Sequence, residues 1–268
     1  MKDTVDGLVI KEMPYGENDK LITVLTARYG QMVFLAKGAR SLRSKILPVC
    51  RLFTYANFEY YERGERRWVS GGSPNESFFS LSSELSSHAL ACYIVSVAAE
   101  ITGEGVEAEE ILRVTLNTLY AISKGLRPLA QIKAIYELYA ARVSGLEPDV
   151  YSCAECGCTD AAQSWLDVMN GFVVCDECHA KRSSLVPRSA DTADVIADEN
   201  GTRSILCPLD ASALTAMRYV LSADVSRLFS FRLTSEESME LFGRAAETYL
   251  VNHLERNFEA LDFYKSIK

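Results

Sequence analysis

Two Cys-x-x-Cys pairs, Cys153-Ala154-Glu155-Cys156 and Cys175-Asp176-Glu177-Cys178, are separated by 18 residues and constrain this chain more than any other feature. Each pair can sit on a tight turn that aims two sulfurs at one point. Two such knuckles close a tetrahedron around a metal ion. Ser164-Trp165-Leu166 and Phe172-Val173-Val174 between them are β-like, which is the layout of a zinc ribbon. Cys153, Cys156, Cys175 and Cys178 are therefore the expected ligands of one structural Zn(2+) ion. Four thiolates leave no open position for water or substrate, so such a site staples the chain and does not catalyse. Cys158 and His179 stand beside the knuckles as alternative ligands. The symmetric pairs are preferred because their spacing lets two sulfurs meet one ion without strain. Cys175 to His179 also spells the CxxCH of haem attachment, but that requires export and leaves the first knuckle unexplained. A thioredoxin-like redox pair lacks its βαβ context.

The remaining cysteines, Cys50, Cys92 and Cys207, are scattered and read as small buried hydrophobes. Apolar residues make up 48% of the 268 and charged residues 24%, an ordinary globular mix with material for a packed core. No run reaches the roughly 18 apolar residues needed to cross a bilayer. The first residues, Met1-Lys2-Asp3-Thr4-Val5-Asp6, show no secretory leader, so a cytoplasmic, nucleoid-associated protein with no membrane partner is expected.

Charge is distributed unevenly. Residues 1–80 hold 12 Lys+Arg against 9 Asp+Glu, leaving 16 against 27 for the other 188 and giving the net −8. The front of the chain is basic and the body acidic. Cations concentrate at Lys37, Arg40, Arg43, Lys45, Arg51, Arg66 and Arg67. The densest piece, Lys37-Gly38-Ala39-Arg40-Ser41-Leu42-Arg43-Ser44-Lys45, contains four cations and no anion. Small residues between the cations would let a phosphate backbone pass close by. Tyr55, Phe58, Tyr60, Tyr61 and Trp68 lie near it in sequence; core packing is the expectation for most of them, and any exposed ring could stack a base.

This basic front reads as β. Thr4–Lys11, Lys20–Thr26, Gln31–Ala36, Arg51–Tyr61 and Arg66–Ser70 are short apolar or alternating runs set apart by turn signals. Five short strands suggest a closed barrel, with the OB-fold the leading candidate and an SH3-like barrel not separable by periodicity. Gly71-Gly72-Ser73-Pro74-Asn75 reads as a linker or corner. Helical spacing follows over Ser83 to Thr102 with Gly103 as the residue past its end, over Glu109–Lys124 before Gly125, and from Pro128 to Ser144 before Gly145. Thr234-x-x-Glu237 resembles a capping box opening a last long helix. His253, on the apolar face of that helix, reads as a satisfied core histidine. The expected fold class is α+β: an OB-fold barrel over 1–80, then an α-helical domain over 81–268 with a zinc-ribbon insertion at about 149–187. No phosphate loop, HExxH, GxSxG or GxGxxG is present, and nothing asks to be an active site; the expectation is a protein that is not an enzyme.

Taken together, these features resemble the RecO family of bacterial recombination mediators. The match runs through Gly7-Leu8-Val9-Ile10, Pro14-Tyr15-Gly16-Glu17-Asn18-Asp19-Lys20, Tyr29-Gly30-Gln31 and Lys37-Gly38-Ala39-Arg40. It continues in Leu47-Pro48, Phe58-Glu59-Tyr60-Tyr61 and the two knuckles. Ser41 stands where the family often has a further cation. The resemblance implies an OB-fold that binds single- and double-stranded DNA and a role in DNA repair and homologous recombination. It also implies strand annealing and action with RecR to help RecA load on DNA coated by the single-stranded-DNA-binding protein SSB, whose acidic C-terminal tail such proteins contact. A cation beside a helical groove would meet that tail, with Arg127, Lys133 and Arg142 the residues to inspect. Two other readings stay open: a zinc-ribbon RNA-binding factor, and an adaptor that binds only proteins.

Overall fold

The computed structural model describes residues 2–183, 194–197 and 203–267. The chain forms two compact units, Met1–Gly125 together with Phe258–Lys268, and Leu126–Asn257.

The first unit opens with five strands, β1 (Lys2–Tyr15), β2 (Asp19–Thr26), β3 (Gly30–Ala36), β4 (Thr54–Arg63) and β5 (Arg66–Ser77). They close a barrel in the order β1-β2-β3-β5-β4. Neighbouring strands are antiparallel except at the seam, where β3 and β5 run parallel through Phe34↔Arg67 and Leu35↔Trp68. β1 is long enough to pair with β2 along one edge and with β4 along the other. This is the OB-fold barrel expected from the alternating runs. Alternation decides what faces in. Val9, Ile22, Val24, Met32, Phe34, Ala56, Phe58, Tyr60 and Val69 fill the barrel, and the residues between them face out.

Gly71-Gly72-Ser73-Pro74-Asn75 is not a linker. It lies inside β5 and pairs with β4, with register shifts at Tyr55/Ala56 and Glu59/Tyr60. Beyond Trp68 no further pairing with β3 occurs, so this half of β5 is an edge. Pro74 therefore sacrifices no ladder bond there. Gly72 has φ 155°, and a Cβ on it would lie 2.5 Å from the Asn57 carbonyl oxygen. The glycines serve close strand approach, a local demand that composition alone cannot separate from a flexible tether.

A single 3-10 turn (Phe79–Ser83) leads into α1 (Leu85–Ile101), followed by α2 (Glu109–Ser123). The Glu84 carboxylate caps α1, accepting from the backbone N–H groups of Ser86 and Ser87 at 3.0 and 2.6 Å; these bonds hold its pKa below the usual value. Gly103 does not end α1 in a left-handed conformation. Instead, Gln31 Nε2 donates to the carbonyls of Ala99 and Thr102 at 2.6 Å each, and the Gln31 N–H donates to Gly103 O at 3.0 Å. A barrel side chain thus satisfies the helix end. Gly30 makes the approach possible: at φ +59° a Cβ there would sit 2.0 Å from Gly103 O. Gly125 and Gly145 do take left-handed angles past their helices, as expected.

The second unit begins with α3 (Leu129–Val143), for which Pro128 is the N-cap. Leu129 to Val143 carries more than one apolar stripe: every residue from Gln131 to Ala141 is buried, so the helix is enclosed all round. A five-stranded sheet follows in the order β6-β8-β7-β10-β9. Its strands are β6 (Asp149–Cys153), β7 (Gln163–Asp167), β8 (Phe172–Cys175), β9 (Asp194–Ala197) and β10 (Arg203–Asp210), with α4 (Asp176–Ser183) after β8. The expected ribbon limit at residue 187 lies outside the described residues. Asp210 caps α5 (Ala211–Ser222), accepting from the Ala213 N–H at 2.7 Å. The last long helix, α6 (Glu236–Leu254), is capped by Ser235, one residue later than the Thr234 box suggests; Ser235 Oγ accepts from the Ser238 N–H at 3.2 Å. His253 is half-buried, its Nε2 2.7 Å from Val168 O and its ring against Tyr249, so it is satisfied as expected. The chain then returns to the first unit as α7 (Glu259–Ser266), where Phe258 meets Tyr93 of α1 edge-on.

Candidate nucleic-acid interface and metal centre

The four thiol sulfurs of Cys153, Cys156, Cys175 and Cys178 lie within 4.8 Å of one another. Tetrahedral Zn–S bonds of 2.3 Å place sulfurs about 3.8 Å apart, and Cys156 Sγ is 3.6 Å from Cys175 Sγ. The knuckle geometry follows from the sequence. Gly157, at φ 74°, lets the chain double back, so Gly157 N–H donates to Cys153 O and Cys153 N–H to Cys158 O. The Cys175 N–H points at Cys153 Sγ at 3.3 Å. Burial opposes ionisation of Cys153, but backbone N–H groups of Cys175, Cys156 and Glu155 outweigh it and lower the thiol to about 6. Cys153 is the thiolate this cluster favours, whereas Cys175 and Cys178 are held above the ordinary thiol value, burial being the main cause at Cys178. Cys158 contributes its carbonyl to the knuckle while its side chain is exposed and outside the sulfur cluster. His179 stacks on Trp165 at 4.1 Å, also outside the cluster. Four close cysteines able to hold a metal are thus assembled from the end of β6 and the turn after it, the end of β8 and the first turn of α4.

Cys50 and Cys207 are buried and Cys92 half-buried. Burial pushes the Cys50 thiol up to about 12, the behaviour of a core side chain.

The cationic residues divide by environment. Lys37, Arg40, Arg43 and Lys45 are all exposed on the loop that follows β3. That loop is pinned to the β1–β2 turn: Gly38 N–H donates to Asp19 Oδ1 at 2.7 Å and Arg40 N–H to Asn18 O at 3.0 Å. Arg40 Nη1 also donates to the carbonyls of Glu17 and Gly16 at 2.9 and 3.3 Å. Arg40 is thus partly a structural pin, whereas Arg43 and Lys45 project beyond it. Arg51 lays its guanidinium 5.3 Å from the centre of the Phe79 ring. Arg66 and Arg67 stand at the start of β5, on the other side of the barrel seam. Arg66 is exposed, but Arg67 is half-buried and bound to Glu62 and Glu104.

The barrel aromatics divide by strand parity. Phe58 and Tyr60 lie inside, against Phe34. Tyr61 and Trp68 lie outside, stacked with rings 6.4 Å apart and 6° from parallel. Strand register places them in an outward row, Met13↔Leu21, Leu21↔Leu35, Leu35↔Trp68 and Trp68↔Tyr61. Beside it a groove of about 340 Å³ is lined by Tyr15, Leu21, Val33, Arg66 and Glu104, among others. Alternation could have revealed this row, since Tyr61 and Trp68 have the opposite parity to Phe58 and Val69.

Of the helical cations, Lys133 is buried, 2.8 Å from Glu137 and 2.7 Å from Glu247, and is closed to an incoming peptide. Arg127 donates to the carbonyls of Phe231 and Ser230 at 2.6 and 3.0 Å. Arg142 lies over Tyr139 and 3.8 Å from Glu147. No helix among the described residues is long and apolar enough to cross a membrane.

Fold and site together define a class: an OB barrel carrying a cationic loop, joined to a unit with a four-cysteine ribbon. Comparison with known families narrows it. The model described as "Recombination protein O N terminal" matches residues 1–78, and "Recombination protein O C terminal" matches residues 82–202. The chain belongs to the RecO family, whose role is DNA repair and recombination. It is similar to the DNA repair protein RecO of Acetivibrio thermocellus, 27% identical over 97% of this chain and 95% of that protein. It is likewise similar to the RecO of Alkaliphilus metalliredigens, 25% identical over 98% of each. To the RecO of Listeria monocytogenes it is 28% identical over 66% of this chain and 68% of that protein.

Proposed function

We propose that this chain is a recombination mediator that binds single- and double-stranded DNA, anneals complementary strands, and with RecR helps RecA load onto SSB-coated single strands, working in the cytoplasm at the nucleoid. The observation that carries this reading is the pinned loop Lys37–Lys45, which projects four exposed cations and no carboxylate from one end of an OB barrel. Phosphates of two strands repel each other, and cations that bind both release counterions and lower that cost. The bases stay available to pair. Annealing runs downhill, so the scheme needs no nucleotide hydrolysis and no catalytic group.

Lys37, Arg43 and Lys45 make the main phosphate contacts in this scheme, with Arg40 contributing while it pins the loop. Arg51 and Arg66 extend the surface, and Arg67 is held in reserve by its two carboxylates. Cys153, Cys156, Cys175 and Cys178 hold one Zn(2+), which cross-links β6 to the β8–α4 corner and supplies folding energy there. The SSB tail is met in the second unit, where Arg127 and Arg142 remain candidates and Lys133 does not.

The test is annealing of two complementary SSB-coated oligonucleotides without ATP, with and without the protein, run in parallel on RNA strands of the same sequence. Acceleration on DNA is the expected result. A zinc-loaded protein that accelerates nothing would remove the mediator reading, and a preference for RNA strands would turn it toward an RNA-binding factor.

A further inference from the structure

A second cleft, of about 540 Å³, opens in the first unit between the pinned loop, β1–β2 and the start of α1. Its walls are of two kinds. Lys20, Arg40 and Arg51 supply its cations, and the one carboxylate among its lining residues, Glu12, is occupied by Lys20 at 2.8 Å. Leu42 and Phe79 form an apolar rim, and both are unusually bare, 93% and 61% exposed. The floor is Phe53 with the His88 ring edge-on at 5.6 Å. Phe53 holds a left-handed backbone, φ 63°, an uncommon and strained state for a bulky residue. His88 Nδ1 is buried beside this floor with no hydrogen-bond partner among the described residues.

The volume falls within the roughly 300–1,000 Å³ of small-ligand sites, so the cleft takes a chemical group and not a folded partner. Cations beside an apolar, aromatic surface select an anion joined to a flat apolar body. The guanidinium of Arg51 lying on Phe79 presents such a stacking surface. The cleft is also continuous with the loop that carries Arg43 and Lys45, so an anion bound in it can extend as a chain of phosphates.

We propose that this cleft receives one unstacked nucleotide of a DNA single strand, its base on Phe79 and Leu42 and its phosphate between Arg40 and Arg51. The inference rests on the reading of the Lys37–Lys45 loop as a phosphate-contacting surface and adds to it a device that distinguishes strands. A paired base cannot enter, so the cleft favours single strands over duplex, and pairing with a complement withdraws the base and weakens the hold on the product.

The experiment compares the full-length protein with Phe79→Ala and Phe79→Trp. Affinity is measured for a single-stranded oligonucleotide and for a duplex of the same length, across a salt series, with 2-aminopurine in the single strand reporting unstacking. Phe79→Ala should bind the single strand roughly five- to hundredfold more weakly, keep the salt slope and the duplex affinity, and lose the 2-aminopurine signal. Phe79→Trp should restore single-strand binding. Equal losses on single strand and duplex, or unchanged binding to both, would overturn the nucleotide site while leaving the phosphate-contacting loop intact. Absence of any salt-sensitive DNA binding by the unaltered protein would instead overturn the reading on which it rests. A synthetic acidic peptide ending in phenylalanine serves as competitor. If its binding needs Phe79 while single-strand binding does not, the cleft belongs to a protein tail and the proposal fails.

Discussion

Arg67 donates from Nη1 to Glu104 Oε1 at 2.7 Å, joining the start of β5 to the connection between α1 and α2. A second bond runs from Nε to Glu62 at 3.0 Å, so two carboxylates face one guanidinium. The pKa of Arg67 is raised, first by its hydrogen bond to Glu104. The guanidinium thus sits on the outer face of the barrel with its charge already matched, beside the groove of Tyr15, Leu21 and Val33.

Glu104 and Glu62 together hold the Arg67 guanidinium, so any phosphate would have to compete with two carboxylates for it. Glu104→Gln together with Glu62→Gln should raise single-strand affinity and steepen the dependence of log K on log salt by about 0.7, the increment for one further phosphate contact. Stability should change by no more than about 1 kcal/mol, because both pairs are partly exposed. Binding isotherms over a salt series decide the matter, and an unchanged slope would show that Arg67 takes no part in binding.

The loop cations offer a cleaner reversal. Arg43→Glu with Lys45→Glu should weaken single-strand binding by roughly tenfold or more at low salt and flatten the slope by about 1.4. Thermal stability should stay within about 0.5 kcal/mol, since both side chains are exposed. Arg40→Glu should lower both quantities, because Arg40 also holds the carbonyls of Gly16 and Glu17.

Metal analysis should find one zinc per chain, and Cys156→Ser should lose it. Chelation should lower the melting temperature of the intact protein while single-strand binding by the barrel persists, since the four sulfurs lie in the other unit. A full complement of zinc in Cys156→Ser would mean that Cys158 or His179 replaces the lost ligand.

Lys133 makes a prediction in the alkaline range. Burial alone would lower its pKa, but Glu137 and Glu247 outweigh it and hold the ammonium above its ordinary value. Folding thus favours the protonated form. The contribution is complete below about pH 10.4 and is lost as pH rises through the raised folded value. Lys133→Met should cost about 3–5 kcal/mol at pH 7, since it leaves Glu137 buried without its lysine. In urea unfolding, the gap between the two proteins should hold from pH 7 to 9 and narrow above about pH 10.4.

These contrasts show which features were legible in the sequence. The barrel was, because residues such as Phe58 and Tyr60 alternate with outward neighbours, and an alternating run has one sensible burial. The four-cysteine cluster was, because Cys-x-x-Cys carries its geometry in its spacing. α3 was only half legible: Gln131, Lys133 and Glu137 look like a wet face, yet they are enclosed by partners more than 90 residues away, Phe231, Leu233 and Glu247. Such pairings leave no local periodicity. The second half of β5 was hidden for the opposite reason, its glycines and proline being tolerated only because β3 stops pairing at Trp68. Arg67 and Glu104, 37 positions apart, could not be seen to neutralise each other before the fold brought them together.

The return of α7 to the first unit has a consequence for synthesis. Leu261 and Tyr264 of α7 are buried, and Phe258 packs on Tyr93, so the core begun by the earliest residues waits for some of the last to be translated. The second unit, continuous from Leu126 to Asn257, can consolidate while the first still lacks a piece. On the ribosome the usual order is N-terminal first; here the unit that starts first is the one that finishes last. Until α7 arrives, α1 lacks the contact of Phe258 with Tyr93, and a stall near residue 257 would leave a nascent chain with its four cysteines complete and a barrel unit short of its last helix.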